Sequence, residues 1–167
     1  MTTLLAPTVS FRPVGDADKP YLLRLYTSTR VHEFAHTDWS RPNINDFLAR
    51  QFKLQSDAYA ASFPAASFVI IQLDGVDVGR LYVDRQDRCL QIIDFTIAPE
   101  WRGRGIGTDI LRALMNEAHG GKVPVRLSVL KDSPAVRLYL RHGFAVTADK
   151  GAYAGMEWRP DTGPREM

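Results

Sequence analysis

The stretch APEWRGRGIGT, residues 98–108, lies between a predicted buried strand and a predicted helix. Its glycines Gly103, Gly105 and Gly107 alternate where the strand must turn sharply and the helix must begin. Small residues let a ligand approach the backbone, and the first N–H groups of a helix attract anions. The spacing fits neither a Walker A loop, which needs a following Gly-Lys-[Ser/Thr], nor the dinucleotide fingerprint, which needs a wider second gap. The stretch therefore predicts either a cradle for a pyrophosphate group or a tight turn that binds nothing.

The pattern of apolar residues on both sides of this stretch predicts a chain of alternating strands and helices. We predict strands at 8–14, 68–73, 76–84, 90–97, 123–130, 144–147 and 153–158. We predict helices at 18–27, from an Asn43 or Asn45 cap to about Ala61, at 106–119, and from a Ser133 cap to Arg141. Asp74-Gly75 predicts a short hairpin between the second and third strands. The resulting order, β-α-α-β-β-β-α-β-α-β-β, indicates an α/β fold with a mixed sheet.

Length and composition indicate one globular domain. The 167 residues fit a single domain with a core over about 9–158 and loose ends at 1–8 and 160–167. With 45% hydrophobic and 24% charged residues, the composition excludes a disordered chain. The single cysteine, Cys89, excludes an intramolecular disulfide and a cysteine-rich zinc site. The start lacks the features of a signal peptide and no stretch is apolar enough to cross a bilayer, so we expect a cytoplasmic protein with no membrane partner.

The positive charge is concentrated in one quarter of the chain. The net charge is +2, but residues 101–142 hold eight Lys or Arg against three acids, which makes that segment +5. Such a segment forms either a solvated basic face or a positive electrostatic field that suits a small phosphate-bearing ligand. No recognition-helix signature or interleaving of aromatic and basic residues is present, so we expect no nucleic-acid partner.

Two motifs together resemble the GNAT superfamily of acyl-CoA-dependent N-acyltransferases. The sequence RGRGIG at 102–107 is similar to the signature Gln/Arg-x-x-Gly-x-Gly/Ala of that family. The sequence SPAVRLYLRHGF at 133–144 is similar to its Asn-Pro-Ala-x-x-Leu-Tyr-x-x-x-Gly-Phe run. The resemblance covers the order of elements from about Val9 to Trp158, and it is closest between Leu90 and Phe144.

The resemblance implies a GNAT-type fold, with a mostly antiparallel sheet, a splayed parallel pair of strands and flanking helices. It implies acetyl-CoA as co-substrate and no metal, with the pantetheine arm in the gap between strands 90–97 and 123–130. Arg104, Arg137 and Arg141 are candidates for meeting the CoA phosphates. The asparagine that often opens the second motif is absent, and Ser133 or Asp132 stands in its place. The implied cofactor-binding residues are Phe95, Thr96, Ile97, Arg102, Gly103, Arg104, Gly105, Ile106, Gly107, Thr108, Ser133, Ala135 and Tyr139.

The resemblance also implies catalytic residues. Tyr139 matches the usual general acid beside the CoA sulfur, although the same position suits a core aromatic on a short helix. Gln91 stands where some members carry a glutamate base, and an amide cannot serve as a base. Asp94 lies on the same strand and is either the base or a carboxylate that binds backbone groups at the splay. Glu33 and His36, or a water relayed to a carboxylate, are the other candidates.

The acceptor side is less defined by the sequence. Arg80 and Tyr82 are two residues apart and share one face of a strand, where an arginine is suited to hold a substrate carboxylate. Cys89 has no base beside it in sequence, so we expect direct transfer rather than an acyl-enzyme. Candidate acceptor-side residues are Glu33, His36, Trp39, Phe52, Gln55, Tyr59, Arg80 and Tyr82, of which the helical stripe Leu48, Phe52 and Tyr59 is better explained as packing.

The expected function is therefore transfer of an acetyl group from acetyl-CoA to a primary amine on a small molecule or a peptide. The alternative is a non-catalytic, acyl-CoA-binding or regulatory domain of the same fold, which Gln91 and the missing asparagine keep open. A homodimer is compatible with the sequence, but no feature of the chain indicates one.

Overall fold

Strands and helices follow one another in the order that the sequence predicts. The structure is a computed structural model and describes residues 8–160, so most of both predicted loose ends lies outside the described residues. The strands are β1 (Val9–Pro13), β2 (Ser67–Leu73), β3 (Val76–Arg85), β4 (Leu90–Ile97), β5 (Val125–Leu130), β6 (Ala145–Lys150) and β7 (Tyr153–Trp158). The helices are α1 (Lys19–Arg30), α2 (Arg41–Ser62), α3 (Ile106–Gly120) and α4 (Ala135–Arg141), with short 3-10 turns at Asp16–Asp18, Val31–Phe34 and Pro99–Trp101.

The prediction for the start of α2 was wrong. Its N-cap is Ser40, whose hydroxyl oxygen accepts a hydrogen bond from the Asn43 N–H at 3.3 Å, so neither Asn43 nor Asn45 is the cap. Pro42 lies in the first turn, where its missing N–H would have had no partner in the helix.

Two strand bounds differ from the prediction by more than one residue. Strand β5 begins at Val125 rather than 123 because the N–H of Val123 bonds to Ala118 O in the turn after α3. Strand β6 runs to Lys150 rather than 147 because its pairing with β7 resumes after an irregularity between Val146 and Ala148.

The strands form a mixed sheet in the order β1-β2-β3-β4-β5-β7-β6. Antiparallel pairing joins β1 to β2, β5 to β7, and β6 to β7, whereas β4 and β5 are parallel. The predicted fold class, an α/β chain with a mixed sheet and a parallel pair, is confirmed. Contacts divide the chain into two compact units, the first holding residues up to Leu81 with Phe95–Arg102, and the second holding Tyr82–Asp94 with the residues from Gly103 onward.

The core of the first unit is formed by α1, α2 and the central residues of β2. Tyr26, Ile44 and Leu48 form a buried cluster against which Phe34 and Phe52 pack. Each fully buried side chain of this kind contributes about 1.5–3 kcal/mol relative to exposure. Phe34, from the stretch 31–42 for which no helix or strand was predicted, therefore extends this core.

The core of the second unit is built on α3, whose apolar stripe the sequence predicted. Ile106, Ile110, Leu111 and Leu114 are buried as expected, and Ala118 completes the stripe, while the predicted Met115 is only half-buried. The alternating Val125 and Leu127 of β5 and Met156 of β7 are also buried in this unit.

The predicted hairpin between β2 and β3 is confirmed by its backbone. Asp74 and Gly75 both have positive φ, at 49° and 81°, as a type I′ turn requires. The Asp74 carboxylate also accepts a hydrogen bond from the Thr8 N–H at 2.9 Å, which joins this turn to the residue before β1.

An ion-pair network within the first unit was not foreseen from the sequence. The Arg12 guanidinium donates to both carboxylate oxygens of Asp18, at 2.9 and 2.8 Å, and to Asp77 at 2.9 Å. Asp77 also accepts from the Gln72 amide, and Asp18 from the Gly15 N–H, each at 2.8 Å. The hydrogen bonds from Arg12, and then the bond from Gly15, hold the pKa of Asp18 below its usual range.

Replacing Asp18 with asparagine should destabilise the fold in a pH-dependent way. Because the folded pKa of Asp18 is lowered, its ionic contribution is present above the unfolded value of about 3.9 and is lost as the pH falls through the folded value. We expect Asp18→Asn to lower the free energy of unfolding at pH 7 by about 2 kcal/mol, measured by urea denaturation. The difference from wild type should shrink as the pH is lowered below about 4.

Asp16→Asn is the matched control, since Asp16 lies in the same turn with a fully exposed side chain. Its effect should stay within about 0.5 kcal/mol. Equal effects of the two substitutions would show that the Arg12–Asp18 pair contributes nothing to stability.

Candidate active site

The loop after β4 has the backbone that the glycine spacing predicted. Gly103 and Gly105 have φ of +74° and +81°, and a Cβ at either position would meet no atom within 4 Å. Glycine is therefore required there by backbone conformation rather than by crowding. Gly105 is the N-cap of α3, no side chain caps this helix, and residues 102–105 are exposed.

The first N–H groups of α3 follow directly after this exposed stretch. The N–H groups of Ile106, Gly107 and Thr108 have no acceptor within the helix, because the first i→i−4 bond runs from Asp109 to Gly105 O at 3.0 Å. An exposed helix start with positive-φ glycines before it is suited to bind an anion. We call residues 102–108 the glycine loop.

Arg102 contributes to the glycine loop differently from its neighbours. Its Nε donates to the carbonyl oxygen of Ile97 at 3.0 Å, which joins the loop to the end of β4 within the first unit. Arg104 is exposed. Of the predicted cofactor-binding residues, Phe95, Thr96 and Ile97 are half-buried at the end of β4.

The parallel pairing of β4 and β5 is short. Its register covers Leu90↔Val125, Gln91↔Arg126 and Ile92↔Leu127, although β4 continues to Ile97 and β5 to Leu130. The predicted splay of a parallel pair therefore begins after Ile92. On its other side β5 stays paired with β7 along its whole length, to Leu130↔Tyr153.

Gly79 is a residue that the sequence reasoning missed. A Cβ at Gly79 would overlap the carbonyl oxygen of Thr96 and lie 3.2 Å from the Cα of Ile97. The neighbouring N–H of Ala98 donates to Val78 O at 2.8 Å. An isolated glycine within a predicted strand is a signal of close backbone approach and would have identified this position.

Tyr139 and Asp94 both belong to the second unit and interact electrostatically. Tyr139 is only 4% exposed, and its ring lies against Phe144 with centroids 5.4 Å apart. Burial raises the pKa of Tyr139 above its ordinary value, and the negative charge of Asp94 raises it further. The phenol therefore stays protonated across the neutral pH range, where it acts as a hydrogen-bond donor.

The start of α4 differs from the prediction by one residue. The helix begins at Ala135 with Pro134 as its N-cap, whereas Ser133 was expected as the cap with proline at the first helical position. The Ser133 hydroxyl still accepts a hydrogen bond from the Ala135 N–H, at 3.2 Å. A serine thus orders the turn where the family motif carries asparagine.

The structure brings three acceptor-side candidates of the first unit together. Arg80 is 3% exposed, its Nη2 donates to Gln55 Oε1 at 2.9 Å, and its guanidinium carbon lies 5.9 Å from the centre of the Phe52 ring. Tyr82, two residues further along β3, belongs to the second unit and is 6% exposed.

Of the other acceptor-side candidates in the first unit, Glu33, His36 and Trp39 are exposed, whereas Tyr59 is half-buried. Glu33 is exposed in the 3-10 turn Val31–Phe34 and pairs with Arg30 at 3.3 Å. His36 is exposed in the loop that follows this turn.

Cys89 is buried, and its Sγ lies 3.3 Å from Gln86 Oε1. Within residues 8–160, no group of three or more His, Cys, Asp or Glu side chains is arranged to hold a metal ion. In the same part of the chain, no helix combines the length and hydropathy needed to cross a bilayer.

Replacing Gly79 with alanine should strain the end of β4. The added methyl group must displace the Thr96 backbone, and we expect a loss of about 1–3 kcal/mol in the free energy of unfolding, measured by urea denaturation. Gly120→Ala is the control, because Gly120 is helical and a Cβ there meets nothing within 4 Å. That control should match the wild type or exceed it by up to about 1 kcal/mol. A Gly79→Ala protein as stable as the control would contradict the close approach.

Comparisons with known proteins agree with this architecture. The family model described as an acetyltransferase (GNAT) domain matches residues 64–146. The chain is similar in structure to the PaiA N-acetyltransferase of Thermoplasma acidophilum in complex with coenzyme A, with a TM-score of 0.66 and 18% identity over 91% of this chain and 99% of that one. None of the curated proteins matches this chain in sequence.

Two further solved structures share the fold. YncA of Salmonella typhimurium, a putative acetyltransferase with its cofactor acetyl-CoA, has a TM-score of 0.53 and 19% identity over 93% of this chain and 95% of that one. Naa50 of Arabidopsis thaliana, in complex with a bisubstrate analogue of CoA and a peptide, has a TM-score of 0.55 and 18% identity over 89% and 96%. At these identities the likeness concerns the fold.

Proposed function

We propose that this chain, which belongs to the GNAT superfamily, transfers the acetyl group of acetyl-CoA to a primary amine. The observation that carries the proposal is the glycine loop. It joins two positive-φ glycines to the uncapped start of α3, and it follows a strand that leaves its parallel partner early. Solved relatives of the same fold hold CoA or acetyl-CoA, which supports the choice of co-substrate.

The residues of the glycine loop fit a pyrophosphate group. The backbone N–H groups of Gly103–Thr108 would hold the phosphate oxygens, and the absence of side chains at Gly103 and Gly105 keeps the approach open. Arg104 adds positive charge beside them. Phe95–Ile97 would pair with the pantetheine arm through backbone groups, and Ser133 and Ala135 would border the cofactor at the start of α4. Acetyl-CoA supplies an activated thioester carbonyl.

Tyr139 is proposed to stabilise the departing sulfur. A thiolate, with a pKa near 8.5 for its thiol, is a weaker base than a phenolate near 10. Since burial and Asp94 raise the pKa of Tyr139 further, its hydroxyl keeps its proton at neutral pH and acts mainly by donating a hydrogen bond. The hydrogen bond from this hydroxyl would stabilise the negative charge that develops on the sulfur.

Asp94 is proposed as the base that receives the proton of the attacking amine, directly or through a water molecule. A primary amine is mostly protonated at neutral pH and must lose a proton before it attacks. Asp94 lies on β4 just beyond the last residue pair with β5, and its negative charge raises the pKa of Tyr139. The proposed hydrogen-bond donor, Tyr139, and the proposed base, Asp94, thus belong to the same unit. Glu33 and His36 remain the alternative bases.

The acceptor is proposed to be a small-molecule or peptide amine. The Naa50 relative is bound to a CoA–peptide analogue, which supports a peptide amine as one such acceptor. Arg80 and Tyr82 are proposed to orient it, with Arg80 providing a positive charge held by Gln55 and Phe52. Transfer is proposed to be direct, because Cys89 is buried and lies against Gln86 rather than a base.

Acetyl-CoA should raise the unfolding temperature of the wild-type protein. At a concentration 100 times Kd, binding adds about 2.7 kcal/mol, which corresponds to a rise of roughly 5–10 °C for this size. Gly105→Glu places a bulky anion in the glycine loop and should abolish the rise. Gly151→Glu is the matched control, with a φ of +77° and no atom within 4 Å of its Cβ, because it shares the strain and charge but lies between β6 and β7.

The control should keep the temperature rise of the wild type. A wild-type protein that shows no rise would mean that the glycine loop is only a turn. A rise without acetyl transfer to any member of an amine panel would favour the non-catalytic acyl-CoA-binding domain.

Tyr139→Phe should lower kcat by about 10²–10³-fold while leaving the temperature rise caused by acetyl-CoA unchanged. The substitution removes only the hydroxyl group and keeps the ring against Phe144. Tyr153→Phe, a partly exposed tyrosine of the same unit, should leave kcat unchanged. Steady-state kinetics with an accepted amine provides the measurement. Equal kcat values for wild type and Tyr139→Phe would assign Tyr139 to core packing alone.

A further inference from the structure

A small, open cavity lies between Trp39 and α2, and of its lining residues only Trp39 is among the acceptor-side candidates named above. Its volume is about 240 Å³, and it belongs entirely to the first unit. This volume is below the range of about 300–1,000 Å³ typical of drug-sized ligands, so the cavity encloses only a small group. The lining residues are Trp39, Asn43, Asp46, Phe47 and Arg50.

One wall of the cavity is aromatic and held in place. The Trp39 ring is 48% exposed, yet it lies 5.5 Å from Phe34 and 5.5 Å from Phe47, centroid to centroid. Both phenylalanines pack against the buried cluster of Tyr26, Ile44 and Leu48. The half-exposed indole therefore packs on two phenylalanines that are themselves anchored on the buried cluster, which limits the ordering cost of binding.

The other wall carries a carboxylate and a guanidinium that do not pair with each other. Asp46 and Arg50 are four residues apart on α2, with the acid first, which is the favourable order for a helical ion pair. Among the described residues, the Asp46 carboxylate forms no hydrogen bond or ion pair, and Arg50 reaches only the Asp46 backbone oxygen, at 3.5 Å. Lys53 and Asp57 have the same spacing on the same helix and do pair, at 2.9 Å.

We propose that this cavity binds a free amino acid or a similarly small zwitterion. The ammonium group would lie between the Asp46 carboxylate and the electron-rich faces of Trp39 and Phe47. The carboxylate group would lie against the Arg50 guanidinium, with the Asn43 amide as a second donor. The two opposite charges on one helix face, beside a fixed aromatic wall, match the two opposite charges of such a molecule.

The same chemistry suits a zwitterion that is itself acetylated or one that is bound without reaction. The site is proposed independently of acetyl transfer, and binding is therefore measured first without acetyl-CoA. The probe is an equimolar mixture of the twenty L-amino acids, followed by saturation-transfer NMR on the purified protein. We expect saturable binding of at least one amino acid.

The amino acid that binds is then compared with two analogues, the amine that lacks its carboxylate and the acid that lacks its ammonium group. Each analogue should bind at least about tenfold more weakly, because it leaves one charge of the cavity without a partner. Asp46→Asn and Arg50→Gln should each weaken binding similarly, and Trp39→Ala should abolish it. Asp57→Asn, on the same helix but outside the cavity, should bind as the wild type does.

Acetyl-CoA is then added, and mass spectrometry shows whether the bound amino acid is acetylated or stays unreacted. A mass increase of the bound amino acid identifies it as an acceptor, and an unchanged mass identifies a ligand that does not react; both support the site. The proposal is overturned if no amino acid binds saturably, or if Asp46→Asn and Arg50→Gln bind as well as Asp57→Asn. Neither outcome depends on whether the chain transfers acetyl groups.

Discussion

The early end of hydrogen bonding between β4 and β5 is the constraint on which the rest of the site depends. After Ile92↔Leu127 the two parallel strands no longer pair, while β5 remains paired with β7 as far as Leu130. The pairing between β4 and β5 thus ends at Leu127, whereas the other edge of β5 stays in the sheet to Leu130. The contact proposed between Phe95–Ile97 and the pantetheine arm depends on this early end, because buried backbone groups need hydrogen-bond partners.

Glycine has two different uses next to this point. Gly103 and Gly105 allow a left-handed backbone in open surroundings, so the loop can turn into α3 and leave the N–H groups of the helix exposed. Gly79 has an ordinary backbone but lies where the carbonyl of Thr96 leaves no room for a methyl group. Gly103 and Gly105 keep the backbone of the loop accessible, and Gly79 allows β4 to pass close to β3. Both act on the segment that precedes and forms the glycine loop.

The titratable side chains of the two units differ in their surroundings and in their hydrogen-bond partners. Tyr139 is kept neutral by its buried position and the nearby Asp94, which suits a donor that must hold its proton. In the first unit, Arg12 joins Asp18 and Asp77 in a network that joins β1, the following turn and β3. Arg80 is held by an amide and an aromatic ring. At the surface, Asp46 and Arg50 lie beside Trp39 without pairing with each other.

The sequence by itself determined the order of the elements, the hairpin at Asp74-Gly75, the buried stripe of α3 and the position of the glycine loop. These features depend on periodicity and on backbone preferences of single residues, which act over a few positions. Only the tertiary structure decided the Ser40 cap, the Arg12 network, the need for Gly79 and the grouping of Arg80 with Gln55 and Phe52. Each of these joins residues through space or depends on which competing hydrogen bond forms, and local spacing contains no information on that choice. The raised pKa of Tyr139 belongs to the same class, because burial and a neighbouring charge are properties of the folded chain.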